Sequence, residues 1–299
     1  MKYSKLKWKV IAAQSVAGAP YYAKAGPLEV RLARDKGEIK AAQRLRYKIF
    51  YEEMDASPSA RMKLARRDVD AYDLVCDHLL VIDHTRKAKQ AVVGTYRLLR
   101  QDVAERFNGF YSSGEYDLAP LMTPEFRDRM GSGRQLLELG RSCVHSDYRN
   151  NSTINLLWRG ISEYLVEHEI AYMFGCASLP GTDPAAHKLP LSYLYHEHLV
   201  PDDFPVRAQP LLFEEMNLLR PEDYTTRDAR RALPPLIKGY LRLGCFIGDG
   251  AVVDHQFGTT DVFILLPVER VTRRYSKHFE LARLVNDPAE SESAAVAGL

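Results

Sequence analysis

The stretch between residues 135 and 178 constrains the fold most, because strand, loop, helix and strand patterns follow one another there without a break. Residues 135–145 form an apolar strand pattern, and residues 146–152 form a polar stretch. Residues 153–168 place apolar side chains along one face of a helix, and residues 170–178 have the pattern of a second buried strand. A unit of this kind indicates an α/β fold.

Patterns on either side of this unit extend the same architecture. Residues 38–54 carry a helical stripe of apolar residues, and residues 78–83 and 91–99 form two strands around a polar turn, which predicts a hairpin. Residues 235–243 have a helical pattern, and residues 262–266 form a last apolar strand. Hairpins together with one strand–helix–strand unit predict a single elaborated α/β domain.

The two ends of the chain differ in composition from this domain. Residues 1–26 read as a flexible basic arm and residues 286–299 as a disordered tail, which leaves one domain over residues 27–285. Within it, residues 180–232 are rich in Pro, His and Tyr without a clear period, and we interpret them as an insertion. The arm resembles a signal peptide only in part, because polar residues interrupt its short apolar core.

Composition argues against several classes of protein. Lys and Arg number 41 against 39 Asp and Glu, so the net charge gives no reason to expect nucleic acid as a partner. No stretch of 18 apolar residues is present, so we expect no bilayer-spanning segment. The four cysteines and the histidines show no metal-ligand spacing, so we predict no metal site. Reduced, buried cysteines favour a cytoplasmic location.

The loop that enters the predicted helix at residues 153–168 is the best candidate for an anion site. Amides at the start of a helix lack intrahelical partners, and the helix dipole adds partial positive charge there. Arg149 lies in the same loop and is suited to close on a phosphate with two hydrogen bonds. An ordinary helix start capped by Asn151 or Ser152 is the alternative interpretation.

This loop resembles the acyl-donor motif of GNAT acyltransferases, Arg/Gln-x-x-Gly-x-Gly/Ala after a strand, with Arg149 at its first position. The resemblance implies a mixed, mostly antiparallel sheet with helices on both faces and an elaborated C-terminal half. Missing glycines favour the single phosphate of a phosphopantetheine on acyl carrier protein over coenzyme A. The donor-binding residues implied are Val144, Arg149, Asn150, Asn151, Ser152 and Thr153.

Charged residues in the first half of the chain resemble those of the acyl-homoserine-lactone synthases, which draw acyl groups from acyl carrier protein. Four motifs occur in the same order, namely Arg46 with Phe50, Asp70 with Asp73, Arg97 with Leu98, and Glu138-Leu-Gly-Arg141. The resemblance implies that the first three motifs contact the substrate, the arginines by gripping its carboxylate. Surface cations and a solvated acidic run are the alternative interpretations.

Glu138 is our predicted general base, with Arg141 as its catalytic neighbour. An amino-acid nucleophile is mainly an ammonium at neutral pH and must lose a proton before it attacks a thioester. On a regular strand the two side chains would face opposite sides. The resemblance to GNAT enzymes, which carry a bulge in this strand, implies one at Gly140 that turns both side chains toward a cleft. A structural ion pair between Glu138 and Arg141 is the alternative interpretation.

Longer motifs resemble the L-ornithine N-α-acyltransferases of bacterial ornithine-lipid synthesis. They lie at residues 46–54, 76–80, 93–99, 137–143, 175–178, 235–244, 248–254 and 257–263. The resemblance implies transfer of a 3-hydroxyacyl group from acyl carrier protein to the α-amine of L-ornithine, with no permanently bound cofactor. It also adds Ser142 and Ser178 to the substrate site, and a lipid product makes peripheral contact with the inner membrane an expectation.

The last third of the chain adds candidates of its own. Tyr240 lies in a helix-to-strand turn where GNAT enzymes often use a Tyr to protonate the leaving thiolate, although a packed Tyr is the alternative. Asp254, His255 and Asp261 flank a Gly/Thr turn, and the sequence does not select which of them meets a substrate ammonium. No Ser or Cys lies in a nucleophile elbow, so direct attack by the amine is favoured.

Two other functions stay open at this level. The same chemistry would serve an N-acyl amino acid synthase with a different acceptor, such as glycine or lysine. A non-catalytic membrane-associated or lytic protein is the other possibility, and the retention of the whole charged set argues against it.

Overall fold

One sheet of ten strands organises residues 21–271, the part of the chain that this computed structural model describes. In chain order the strands are β1 (Tyr21–Ala25), β2 (Leu28–Leu32), β3 (Asp77–Asp83), β4 (Val92–Arg100), β5 (Tyr116–Asp117), β6 (Gln135–Val144), β7 (Ile170–Pro180), β8 (Arg207–Ala208), β9 (Phe246–Asp254) and β10 (Thr259–Pro267). Across the sheet they follow the order β1-β2-β3-β4-β6-β7-β10-β9-β8-β5. Only β6–β7 and β8–β9 pair in parallel, so the predicted mixed, mostly antiparallel sheet is confirmed.

Helices cover both faces of this sheet, as predicted. They are α1 (Lys36–Tyr47), α2 (Ala60–Ala65), α3 (Gln101–Ala104), α4 (Pro124–Met130), α5 (Asn151–Glu167), α6 (Lys188–His198), α7 (Thr226–Ala232) and α8 (Pro235–Arg242). Alternation along β3 separates two cores, because Leu80 packs under α1 whereas Leu79 packs with α5 through Ile161. Within the described residues, no helix combines the length and the apolar character that crossing a bilayer requires.

The start of α5 shows why the loop before it turns where it does. Asn150 has an extended backbone, and its side-chain oxygen accepts a hydrogen bond from the amide of Thr153. The cap is therefore Asn150, whereas Asn151 and Ser152, the caps considered from the sequence, are the first two residues of the helix. A capping side chain must precede the first helical turn to reach its free amides.

The predicted boundaries of the arm, the tail and the insertion can be compared with the described residues one by one. The strand β1 lies inside the predicted arm of residues 1–26, where it pairs with β2. Residues 1–20 and the predicted tail of residues 286–299 lie outside the described residues. Residues 180–232 contain α6, β8 and α7, and they bury Leu194 and Met216 in the same core as α5. They therefore form part of the domain core.

The parallel strands β6 and β7 pair over a short distance only. Their register runs from Gln135 opposite Ile170 to Glu138 opposite Phe174 and ends there. Directly beyond, a Cβ atom on Gly175 would lie 2.3 Å from the carbonyl oxygen of Leu139, closer than any side chain tolerates. Beyond that contact β6 stays paired with β4 and β7 stays paired with β10, so the sheet divides along this seam.

A bulge in β6 accompanies this division. Thr95 of β4 pairs with Cys143 and Arg97 pairs with Gly140, so one residue of β4 faces two residues of β6. Arg141 takes a left-handed backbone, with φ of 52°. The bulge predicted at Gly140 is present, displaced by one residue, because Arg141 rather than the glycine adopts the unusual conformation.

The approach at Gly175 generates the first prediction. Replacing Gly175 with Ala would push the new methyl group into the carbonyl of Leu139, and we expect the free energy of unfolding to fall by about 1–3 kcal/mol. Urea unfolding followed by circular dichroism measures this change. Gly239→Ala in α8 is the matched control, since a methyl group added there would have no neighbour within 4 Å, and it should be neutral or stabilising. Equal effects at both positions would contradict the close approach.

Candidate active site

A cavity of 440 Å³ opens where the sheet divides. Its floor is formed by the side chains of β6, β7 and β10 that face the same side as Glu138, and its wall by the turn Tyr111–Gly114. The residues predicted from the sequence that line it are Phe50, Arg97, Glu138, Arg141, Ser142, Val144, Arg149, Ser178, Asp254 and Asp261. Folding thus brings together residues from the helical segment Lys48–Glu53, which continues α1, and from β4, β6 and β7.

Glu138 lies in the floor of this cavity with 4% of its surface exposed. Its Oε1 accepts hydrogen bonds from the amide of Ser112 at 2.7 Å and from the Ser112 hydroxyl at 2.5 Å, and its Oε2 accepts one from the amide of Tyr111 at 2.7 Å. Burial raises the pKa of Glu138 by more than these hydrogen bonds lower it. The carboxylate does not form the structural ion pair with Arg141 that was the alternative, because Arg141 has other partners.

A buried ion-pair network lies behind the cavity wall. Arg46 has no exposed surface, and its guanidinium contacts Asp68 and Asp73, each at 2.8 Å. Burial opposes the ionisation of Asp73, but the positive charges of Arg46 and Arg97 outweigh it and hold the pKa below its usual range. Arg46 and Asp73 therefore lie behind the cavity wall, in a buried ion-pair network. The resemblance had implied that both contact the substrate, and the alternative was a solvated surface.

Arg97 and Arg141 connect this network to the cavity. Both guanidinium groups contact Asp70 Oδ2, Arg97 at 2.6 Å and Arg141 at 3.3 Å, and Arg141 also contacts Asp68 at 3.2 Å. Both lie over the ring of Tyr111, at 5.2 and 5.0 Å from its centroid. Asp70 does not itself line the cavity; it fixes the orientation of two arginines that do.

Tyr240 lies on the other side of the sheet, in a small cavity between β6 and β7 that we call the strand gap, lined also by Leu139, Met173 and Gly175. Burial and the neighbouring hydroxyl of Tyr96 raise the pKa of Tyr240. Tyr96 in turn interacts with Ser142, which lines the main cavity. Tyr240 is thus a protonated phenol that a short series of hydroxyl groups links to the site.

The predicted donor loop lies at the edge of the cavity. Arg149 donates from Nε to the carbonyl of Val144 at 3.0 Å and from Nη2 to Glu53 at 2.6 Å, and half of its side chain is exposed. The cap at Asn150 already uses the amide of Thr153. The amides of Asn151 and Ser152, the exposed first residues of α5, are the ones left for an anion.

Sequence reasoning missed several residues of the site, namely Asp68, Tyr111, Ser112, Glu115 and Cys176. Tyr111, Ser112 and Glu115 come from a region without any periodic pattern, so no local signal distinguished them. Cys176 shared a motif with Ser178, and side chains two apart on a strand face the same side, so that alternation was a usable signal. Within residues 21–271 no group of three potential ligands is placed to hold a metal ion.

The network behind the wall generates a prediction about stability. Asp68→Ala would leave Arg46 and Arg141 without their shared buried partner, and we expect a loss of about 3–5 kcal/mol in the free energy of unfolding. Asp102→Ala is the control, because Asp102 forms an exposed pair with Arg106, and its loss should stay below about 1 kcal/mol. Urea unfolding of both variants measures the difference. Comparable losses would show that the buried network contributes no more than a surface pair.

Known proteins match the sequence of this chain over most of its length. A family model described as an acetyltransferase (GNAT) domain matches residues 45–159. The L-ornithine N(alpha)-acyltransferase of Rhizobium meliloti is 48% identical over 254 residues, 84% of each chain. The protein of that name from Rhodobacter capsulatus is 44% identical over 259 residues, 85% of this chain and 96% of its own.

Solved structures with a similar fold are far more distant. FeeM, an N-acyl amino acid synthase from uncultured soil microbes, is 12% identical and covers 81% of this chain and 91% of its own, with a TM-score of 0.42. The matches in sequence are the informative ones. This chain is an amino-acid N-acyltransferase with a GNAT domain, and it belongs to the L-ornithine N(alpha)-acyltransferase family.

Proposed function

We propose that this enzyme transfers a 3-hydroxyacyl group from acyl carrier protein to the α-amine of L-ornithine, giving lyso-ornithine lipid. The names of the curated relatives support ornithine as the acceptor. The observation that carries the proposal is the position of Glu138, a buried carboxylate that lines the cavity at the last residue pair before β6 and β7 separate.

Glu138 acts in this proposal as the general base. Among the described residues, Oε2 accepts only the amide of Tyr111, so it keeps a lone pair that can accept a proton from the amine or from a bridging water. Burial raises the pKa of the carboxyl group toward that of the amine, which makes proton transfer less unfavourable. The freed amine then attacks the thioester carbon, the new C–N bond forms, and the C–S bond breaks. The nitrogen loses a second proton as the amide forms, and this proton replaces the one that the leaving thiolate takes up, so one proton in total stays on Glu138.

Arg97 and Arg141 hold the carboxylate of the amino acid in this scheme. Their guanidinium groups line the cavity, and Asp70 and Tyr111 keep both in fixed orientations. A planar, permanently charged guanidinium suits a carboxylate, and one that is already oriented loses little entropy on binding. This anchoring would leave the α-amine directed toward Glu138.

The strand gap receives the phosphopantetheine arm of the donor in this scheme. Backbone groups of β6 and β7 are unpaired with each other beyond Glu138 and can bond the amides of the arm. Tyr240 lies in the gap and holds the proton that a departing thiolate needs. The phosphate would then meet the first amides of α5 and Arg149, at the edge of the main cavity.

The mouth of the cavity is apolar enough for a lipid product. Met54 and Leu236 line the cavity, and their exposed fractions are 53% and 44%. An acyl chain leaving along these side chains would pass directly to an apolar phase. This supports, as part of the proposal, peripheral contact with the inner membrane during product release.

The base role generates a prediction about activity. Glu138→Gln removes the basic oxygen but keeps the size of the side chain, and we expect kcat/KM to fall by roughly 10²–10⁴-fold. The measurement is mass analysis of the product formed from 3-hydroxyacyl carrier protein and L-ornithine. Cys143→Ala is the control and should stay within a few-fold, because burial raises the pKa of the Cys143 thiol to about 12 and makes it a poor nucleophile. Full activity of the Gln variant would remove Glu138 from the base role.

The donor loop generates a second prediction. Arg149→Ala removes the half-exposed cation beside the first amides of α5, and we expect KM for the acyl carrier protein substrate to rise by about tenfold with kcat little changed. Steady-state kinetics with varied carrier protein separate the two constants. Arg106→Ala, at an exposed surface pair, should leave both constants unchanged. An unaltered KM for Arg149→Ala would place the phosphate elsewhere.

A further inference from the structure

Three carboxyl groups also line the cavity. Glu115, directly after the turn that holds Glu138, lines it together with Asp261 of β10 and Asp254 at the end of β9. Asp254 uses its Oδ1 to accept the amides of Gln256 and Phe257. Glu115 and Asp261 have no such backbone partners among the described residues, so their charges are directed at the cavity.

Asp261 is the most unusual of these groups. Its residue is 7% exposed, and its Oδ1 has no hydrogen-bond partner within residues 21–271. A buried carboxylate oxygen without a partner is strongly unfavourable unless a ligand supplies one. The nearby hydroxyl groups of Thr259 and Ser178 only partly offset the burial that raises the pKa of Asp261.

Glu115 lies beside Asp261 without a cation of its own. Its Oε2 accepts a hydrogen bond from Cys176 Sγ at 3.4 Å, and within the described residues neither Glu115 nor Asp261 forms an ion pair with Lys, Arg or His. Burial and the negative charge of Asp261 raise the pKa of Glu115 to about 7. Arg141 is the positive charge that acts on both, and it is already paired with Asp68 and Asp70.

We infer that Glu115 and Asp261 form a subsite that binds the primary ammonium group at the end of the acceptor's side chain. This inference rests on the proposed function, because it assigns the selectivity of the same cavity for a diamino acid. A primary ammonium supplies three donors and one positive charge, which match two adjacent carboxylates with free lone pairs.

The spacing along β7 fits an acceptor of the length of ornithine. Phe174 pairs with Glu138, Cys176 lies two residues further on, and Ser178 pairs with Asp261, all on the same face of the sheet. Two residues along a strand span roughly 6.6 Å. The α- and δ-nitrogens of extended ornithine are about 6 Å apart from standard bond lengths. An α-amine at Glu138 therefore places the other nitrogen at the level of Cys176, whose Sγ contacts Glu115. Asp261, opposite Ser178, lies one such repeat further along and acts on this position through its charge beside Glu115.

Such a subsite selects acceptors in two ways, because it attracts a side-chain ammonium and disfavours side chains that lack one. An amino acid with an apolar side chain of the same length would bury two carboxyl groups without a partner, and sites built to bind a polar group reject analogues that lack it. Separate partners for the α-carboxylate and for the side-chain ammonium also fix the orientation of the bound acceptor.

The experiment compares two acceptors with the same five-carbon chain, L-ornithine and L-norvaline, which lacks only the terminal amine. In the unaltered enzyme kcat/KM should favour ornithine, and Asp261→Asn and Glu115→Gln should each lower this preference at least tenfold by loss of ornithine activity. Activity with norvaline should stay within a few-fold, which also shows that the variants fold. Asp249→Asn on β9 is the control; this aspartate pairs with Arg207 and does not line the cavity, so the preference should not change.

Binding of the two acceptors by calorimetry separates this inference from the proposed function. Ornithine that binds through Asp261 but is not acylated would overturn the proposed reaction and leave the subsite intact. Equal losses with both acceptors would assign the carboxyl groups to catalysis or folding and overturn the subsite. An unaltered enzyme that neither binds nor acylates ornithine in preference to norvaline would overturn it as well.

Discussion

The bulge at Arg141 of β6 is the feature on which the site depends. A regular strand would place Glu138 and Arg141 on opposite faces, and the extra residue opposite Tyr96 brings both to the same cavity. The left-handed backbone of Arg141 is unfavourable for a residue with a side chain, and the buried ion pairs with Asp68 and Asp70 help to hold it. The strained backbone of Arg141 and the buried charges of Asp68 and Asp70 thus depend on each other.

The division of the sheet provides the second half of the site. Because β6 and β7 stop pairing after Glu138 and Phe174, Glu138 stands at the junction of two compartments. The main cavity on one face holds polar groups for the acceptor, and the strand gap on the other face contains Tyr240. A reaction between two separately bound substrates is suited to such a junction, since each enters from its own side and the reacting atoms meet between them.

Charge is distributed unevenly within the main cavity. Its lining contains arginines whose partners are aspartates behind the wall, and carboxyl groups that form no ion pair among the described residues. The burial that raises the pKa of Glu115, Glu138 and Asp261 makes each of these groups sensitive to a positive charge placed beside it. A zwitterionic substrate with an additional ammonium complements this distribution along its whole length.

The sequence by itself determined the order of the central elements and several site residues. The alternation in β6 and β7 and the helical stripe of α5 were sufficient to predict the strand–helix–strand unit, because these are local periodicities. The bulge between Glu138 and Arg141 was predicted from the resemblance to GNAT enzymes. Only the tertiary structure decided that Arg46 lies buried behind the wall and that Glu115 lies beside Asp261. Residues from a turn without periodicity and from a strand about 150 positions later meet through long-range packing, which leaves no trace in local sequence patterns.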